Sequence, residues 1–117
     1  MSAFGKEEAA TIRLRLAETL SAIISQRLLT RKGGRGRIPA VEILINNEHI
    51  RECIMDERRT RDIREVLEKQ RTVYGCQTFE QHLIEMLQAG LVDMQTARAA
   101  ASNVHDFDVK ASMLPSR

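Results

Sequence analysis

The sequence predicts a mainly α fold with one small β-hairpin. Three observations predict it. Apolar residues recur at helical spacing before residue 26 and again after residue 47. One short segment alternates instead, with Val41, Ile43 and Ile45 set against Glu42, Leu44 and Asn46. Between that segment and Leu28-Leu29 lies Lys32-Gly33-Gly34-Arg35-Gly36, whose glycines supply the positive φ angles of a hairpin turn.

Residues 1–5 read as a loose start. A helix is expected from about Lys6 to Gln26, because Ile12, Leu16, Leu20 and Ile24 repeat at four with Ile23 beside them, while Arg13, Arg15, Glu18 and Thr19 point elsewhere. Glu7 and Glu8 suit its first turn, where the helix dipole favours anions. The hairpin follows, and Pro39 marks its position in the second strand as an edge or a bulge. Asn46-Asn47 reads as a turn and helix cap. The helix of about 47–57 then places Ile50, Cys53 and Ile54 on one face.

Beyond the joint at Arg58-Arg59, Thr60 is expected to cap a helix with Ile63, Val66, Leu67 and Gln70 on one face and a Glu65–Lys69 pair outside. Val73-Tyr74-Gly75-Cys76 reads as a turn. Thr78 and Gln81 form a capping box that opens a helix with Phe79, Leu83, Met86 and Leu87 inward, and Gly90 is its stop. Asp93 caps an alanine-rich helix from Met94 to about Ala101. Asn103 caps a last turn or two through Phe107, and Pro115-Ser116-Arg117 is expected to fray.

Composition narrows the function. The chain has 117 residues, enough for one modest core, and at 43% apolar and 3% aromatic that core must be aliphatic. A net charge of +2 argues against the whole chain being a nucleic-acid or membrane binder. No stretch approaches the roughly 20 apolar residues that span a bilayer, and the N-terminus has no signal-peptide pattern. Cys53 and Cys76 make no disulfide framework, so a reducing cytoplasm is the expected setting.

The chemistry-bearing patterns are few. A P-loop needs Lys and Ser or Thr after its second glycine, but Arg37 and Ile38 stand there, so the glycine string reads as a hairpin turn. Arg27, Arg31, Lys32, Arg35 and Arg37 lie close together with no acid among them, a local positive patch. The alternative function is therefore a small nucleic-acid-binding module using the basic hairpin Arg27–Arg37. The patch lacks stacking aromatics, which favours a solvated tip or one meeting an acidic protein surface, with no nucleic acid. His49, Cys53, Cys76 and His82 have no standard metal spacing, and Cys53 on the Ile50 face reads as a buried thiol. No nucleophile elbow is present. Glu52, Asp56 and Glu57 are spread around a polar helix face. No catalytic, cofactor-binding or metal residues are expected here.

The order of the residues carries more than their composition. Ile12-Arg13, Leu16, Ile23-Ile24-Ser25-Gln26-Arg27-Leu28-Leu29, Gly34-Arg35-Gly36-Arg37 and Ala40-Val41-Glu42-Ile43-Leu44-Ile45-Asn46 closely resemble the C-terminal part of the type IV pilus retraction motors. These are the twitching-motility ATPases of the secretion ATPase superfamily. Tyr74-Gly75, Gln77-Thr78-Phe79 and Ala89-Gly90-Leu91 continue the likeness. The pilus-extension and type II secretion relatives carry a four-cysteine module where this chain has Lys32-Gly33-Gly34, so the resemblance is to the retraction branch. The retraction motif Ala-Ile-Arg-Asn-Leu-Ile-Arg-Glu aligns with His49 to Asp56. Ile50, Arg51 and Ile54 match, Asp56 keeps the charge, and His49, Glu52, Cys53 and Met55 depart.

The resemblance implies a piece of a larger hexameric ATPase. Residues 1–46 would be the tail end of its RecA-like core and 47–117 its helical C-terminal domain. ATP and Mg would belong to the parent, whose P-loop, Walker B, acidic and histidine boxes are not in this stretch. The implied partners are the RecA-like core of the same protein, neighbouring subunits of a homohexamer and the pilus inner-membrane platform, all on the cytoplasmic side. Arg51, Asp56, Arg58 and Arg59 would make contacts, while Ile50 and Ile54 hold the helix to its bundle. Cut loose, the stripe of the first helix and the strand edge would lack cover, so the isolated chain is expected to self-associate through residues 6–45.

Overall fold

The computed structural model describes residues 5–115, so the expectations for residues 1–4 and 116–117 lie outside the described residues. The described chain is mainly helical, with one two-stranded antiparallel hairpin, as the sequence predicts. It divides into two compact units that interleave along the chain. Residues 5–23 join Ile43–Cys76 in one, and Ile24–Glu42 join residues 77–115 in the other.

The first unit begins with α1, Lys6–Thr19. This helix is shorter than the periodicity predicts. Leu20 turns to extended backbone, and Ile23 to Gln26 belong to β1, Ala22–Thr30. The β-branched pair Ile23-Ile24 suits a pleated strand better than a helix. The stop is also enforced from a distance, since the Asn46 Nδ2 donates to the carbonyls of Ala17 at 3.0 Å and Leu20 at 2.6 Å. The expected continuous stripe therefore does not form, and the one buried residue of α1 is Ala17.

Strand β2, Arg37–Ile45, ends where Asn47 caps α2, Glu48–Met55. The Asn47 Oδ1 accepts from the N–H groups of His49 at 3.1 Å and Ile50 at 3.2 Å. The same amide exchanges two hydrogen bonds with Gln70, at 2.8 and 3.2 Å. One side chain thus satisfies a helix start and ties it to α3, Ile63–Lys69. Asn47→Ala should lower stability by about 1–2 kcal/mol in a urea titration; a change below about 0.5 kcal/mol would show that neither role matters.

Thr60 does not cap a helix. It lies inside a 3-10 helix, Glu57–Asp62, and its hydroxyl sits 3.1 Å from the Cys53 carbonyl and 3.3 Å from that of Asp56. Asp56 takes the capping role there, accepting from the Arg58 N–H at 2.9 Å. A four-residue helix, α4 (Arg71–Tyr74), then stops at Gly75, whose φ of 75° is the left-handed conformation that favours glycine. Leu44, Ile50, Cys53, Val66, Leu67 and Cys76 form the core of this unit, with Leu20, Ile45, Ile54 and Ile63 packed against it.

The second unit holds the tip end of the hairpin and three helices. These are α5 (Phe79–Gln88), α6 (Met94–Ala100) and α7 (Val104–Ser112). The Thr78–Gln81 capping box is present in both directions. After α5 the Leu91 N–H bonds back to the Met86 carbonyl at 3.0 Å around Gly90, a Schellman-type stop. Asp93 and Asn103 cap α6 and α7 as expected. The last helix runs five residues beyond Phe107, to Ser112, because Phe107 is its buried anchor rather than its end. Leu29, Ala40, Phe79, Leu83, Met86, Val92, Ala97 and Phe107 make the core.

In β2 the deeply buried positions are Ala40 and Leu44, on the even face, while Val41, Ile43 and Ile45 are half-buried. The expected alternation has the right period, but both faces are covered.

Candidate functional site

The first candidate region is the turn of structure from α2 through the 3-10 helix. Ile50 and Cys53 are buried, Ile54 is half-buried, and Arg51 between them is exposed. Spacing produces this division, since Ile50, Cys53 and Ile54 lie on one helical face and Arg51 turns about 100° away from Ile50. Burial pushes the Cys53 thiol above its ordinary pKa, opposed by the nearby Arg59 charge. The thiol is thus held neutral as a core group.

The charged rim of this region is loosely paired. The Arg58 Nε lies 3.8 Å from the Asp56 carboxylate, and the Arg59 Nη1 lies 3.4 Å from Glu52. With an Arg58 side chain 93% exposed, such pairs contribute roughly 0–1 kcal/mol each and leave the guanidinium ends available to a partner.

Arg13, which sequence reasoning places on an outer helix face, is the connection that it misses. Its Nη1 donates to the Ile54 carbonyl at 3.1 Å and to the Thr60 hydroxyl at 2.9 Å, so α1 holds both the end of α2 and the 3-10 helix. A separation of 41 residues lies between Arg13 and Ile54, and periodicity within α1 carries no trace of their bond.

The second candidate region is the basic hairpin tip. Arg31, Lys32, Arg35 and Arg37 are all exposed. Arg27 does not belong with them. Its guanidinium lies over the Phe79 ring, 4.2 Å from the centroid, and it donates to the Ala100 carbonyl. That cation–π contact makes Arg27 part of the unit's packing.

The tip also closes on itself. The Arg31 N–H bonds to the Gly36 carbonyl at 3.1 Å and the Gly34 N–H to that of Arg31 at 2.9 Å. Gly33, Gly34 and Gly36 all have positive φ. Lys32 reaches across with its backbone N–H to the Leu91 carbonyl at 2.8 Å. The N–H groups of Arg31, Lys32 and Gly34 are thus engaged within the fold, which does not fit a phosphate cradle.

His49 lies exposed at the start of α2, and Cys76 is buried, its sulfur 3.4 Å from the Ile45 nitrogen. The His82 Nδ1 accepts the Val41 N–H at 2.8 Å. Among the described residues no three His, Cys, Asp or Glu side chains are grouped to hold a metal ion. Among them too, no helix is long and apolar enough to cross a membrane.

In the comparisons with known proteins, this helical chain with one hairpin matches the C-terminal portion of pilus ATPases. In particular, the chain is similar to that portion of the type IV pilus retraction ATPases. A twitching motility protein of Neisseria gonorrhoeae is 37% identical over 100 residues, which cover 86% of this chain and 26% of that protein. The type IV pilus retraction ATPase PilT of Pseudomonas aeruginosa is 32% identical over 106 residues, 89% of this chain and 29% of that protein. Among solved structures, the pilus retraction motor PilT with bound ADP aligns with a TM-score of 0.72 and 30% identity, covering 92% of this chain and 29% of that one. The chain thus spans less than a third of the length of the relatives it matches. No family model matches it.

Proposed function

We propose that this chain is the C-terminal coupling part of a hexameric type IV pilus retraction ATPase. In this reading residues 1–46 end the RecA-like core and 47–117 form the helical domain. The rest of the protein binds and hydrolyses Mg–ATP, and this stretch holds no catalytic group. Its work is mechanical, passing core movements to neighbouring subunits of the homohexamer and to the pilus platform at the cytoplasmic face of the inner membrane. Ile50 and Ile54 fasten α2 to its core, Arg51, Asp56, Arg58 and Arg59 meet the partner, and the tip residues Arg31, Lys32, Arg35 and Arg37 offer a second contact.

The observation that carries this reading is the placement of the motif-like residues. Ile50 is buried and Arg51 beside it is exposed, the arrangement a rigid contact helix needs. An exposed contact residue should matter for work and not for folding. Arg51→Ala is therefore expected to change the chain's stability by no more than about 0.5 kcal/mol. The same change in a full-length retraction ATPase carrying this segment should impair twitching motility. Full motility in that variant, or a large stability loss in the chain, overturns the reading.

A further inference from the structure

The helix α2 does not finish its own end. Its last turn, Glu52 to Met55, contains no cation, although the negative end of a helix dipole favours one. Asp56 follows in extended backbone, and its carboxylate turns to the Arg58 N–H instead. The carbonyls of that last turn therefore take donors from elsewhere. The Thr60 hydroxyl lies 3.1 Å from the Cys53 carbonyl, and the Arg13 Nη1, on α1, donates to the Ile54 carbonyl at 3.1 Å. The same nitrogen donates to the Thr60 hydroxyl at 2.9 Å, so one guanidinium spans the joint where α2 passes into the 3-10 helix. At the other end of α2, Asn46 stands one residue before the Asn47 cap and donates to the carbonyls of Ala17 and Leu20. Arg13, Ala17 and Leu20 follow one another at spacings of four and three, which sets them along one side of α1. Ala17 is buried, and α1 packs against α2. The first helix thus lies along the second and is bonded near both of its ends.

We propose that Arg13 is the positioning residue of the contact segment, the group through which a movement of α1 is delivered to Arg51 on α2 and to Arg58 and Arg59 on the 3-10 helix. This role rests on the retraction-ATPase reading, in which α1 ends the core and α2 opens the helical domain. That boundary falls after residue 46, yet residues on both sides of it, 5–23 and Ile43–Cys76, form one compact unit. Two routes join α1 to α2. Along the chain lie both strands and the turn between them, a stretch that belongs largely to the other unit. Across the unit lie the side chains of Arg13 and Asn46. Asn46 serves the start of α2, while Arg13 meets the end that leads into Arg58 and Arg59. Hydrogen bonds from a charged donor are the stronger kind, and Arg13 makes two of them, one to each side of the joint.

Amide exchange on the 117-residue chain tests the clamp, and a full-length retraction ATPase carrying this segment tests its use. Arg13→Met keeps the apolar stem and removes the donors. The Asp56 and Arg59 amides, bonded to the Glu52 and Asp56 carbonyls, should then exchange about tenfold faster or more, while the His82 and Ala89 amides of the other unit keep their rates. Thr60→Val removes the shared hydroxyl and should loosen the same two amides. Because the two side chains act through one bond, the double variant should fall short of the product of the single effects. In the full-length ATPase, Arg13→Met should leave ATP turnover unchanged and sharply reduce twitching motility, a split that a general loss of structure does not produce. Unchanged exchange in Arg13→Met overturns the clamp whatever the chain does in the cell. Faster exchange with normal twitching, in an ATPase that Arg51→Ala disables, overturns the positioning role and leaves the retraction reading standing. Normal twitching in both variants overturns the reading and this role with it. Turnover and motility that fall together also refute the role, since Arg13 would then serve the fold of the core.

Discussion

Phe107→Ala should destabilise the second unit by about 3–5 kcal/mol, the largest single loss expected in the chain. The residue is fully buried and shares its core with one other aromatic side chain, Phe79. The remaining neighbours are Leu, Met, Val and Ala side chains fixed in the same cluster, which cannot collapse far to fill the space it leaves. The polar links of α7 offer little compensation. The Arg98–Asp108 pair, bidentate at 2.9 and 3.1 Å, and the Lys110–Asp106 pair at 2.9 Å are surface or part-buried contacts. Pairs so open to solvent contribute little to stability. Against a total of about 5–15 kcal/mol for a domain, the loss of Phe107 removes much of the margin. Urea titration followed by far-ultraviolet circular dichroism measures it. Phe107→Leu, which keeps most of the volume, should recover more than half. A loss below about 1 kcal/mol for the alanine variant would mean that the unit does not depend on this anchor.

Phe107 also illustrates what can be read in advance. Its helix is legible from the Asn103 cap, but the length of that helix is not. Caps are local chemistry, a side chain bonding an N–H two or three residues on, and so Asn47, Thr78, Asp93 and Asn103 all stand where the sequence places them. Gly90 is legible for the same reason. Endings set from a distance are not. Nothing near Thr19 announces that Asn46 will hold the last carbonyls of α1, so the apolar spacing runs on into Ile23 and Ile24. Thr60 looks like a cap because its own neighbourhood suits one. In the fold its hydroxyl instead lies against the carbonyls of Cys53 and Asp56 and accepts from Arg13.

The site divides the same way. Burial of Ile50 and exposure of Arg51 follow from helical period alone, so the covered and open faces of α2 can be drawn from sequence. The roles of Arg27 and Glu80 cannot. Arg27 belongs to a run of cations and reads as part of the tip until Phe79 is found beneath it. Glu80, in the first turn of α5, is fully buried, with its carboxylate accepting the Ser102 N–H at 3.3 Å. A carboxylate in a first turn is ordinarily a solvated response to the helix dipole. What this one meets is the backbone N–H of a residue 22 positions away.

Ile50→Ala is expected to cost about 2–5 kcal/mol, the range for emptying a fully buried aliphatic site. The side chain is completely covered, and it stands in a core that also contains Leu44, Cys53, Val66, Leu67 and Cys76. The cavity would open under the helix that presents Arg51, and the Asn47 cap and the Arg13 bonds would then hold that helix only at its two ends. The consequence reaches the proposed function. A contact helix transmits movement only if it stays fixed to the body that moves, so loosening Ile50 should impair coupling even with every charged residue in place. Thermal unfolding of the chain measures the stability loss, and amide exchange across α2 measures the loosening. Ile50→Val, which removes one methylene, should cost only about 0.5–1.5 kcal/mol and keep α2 protected. If Ile50→Ala leaves both stability and exchange unchanged, the fastening role assigned to Ile50 is wrong, because an adjacent exposed residue such as Arg51 cannot replace a buried one in anchoring a helix.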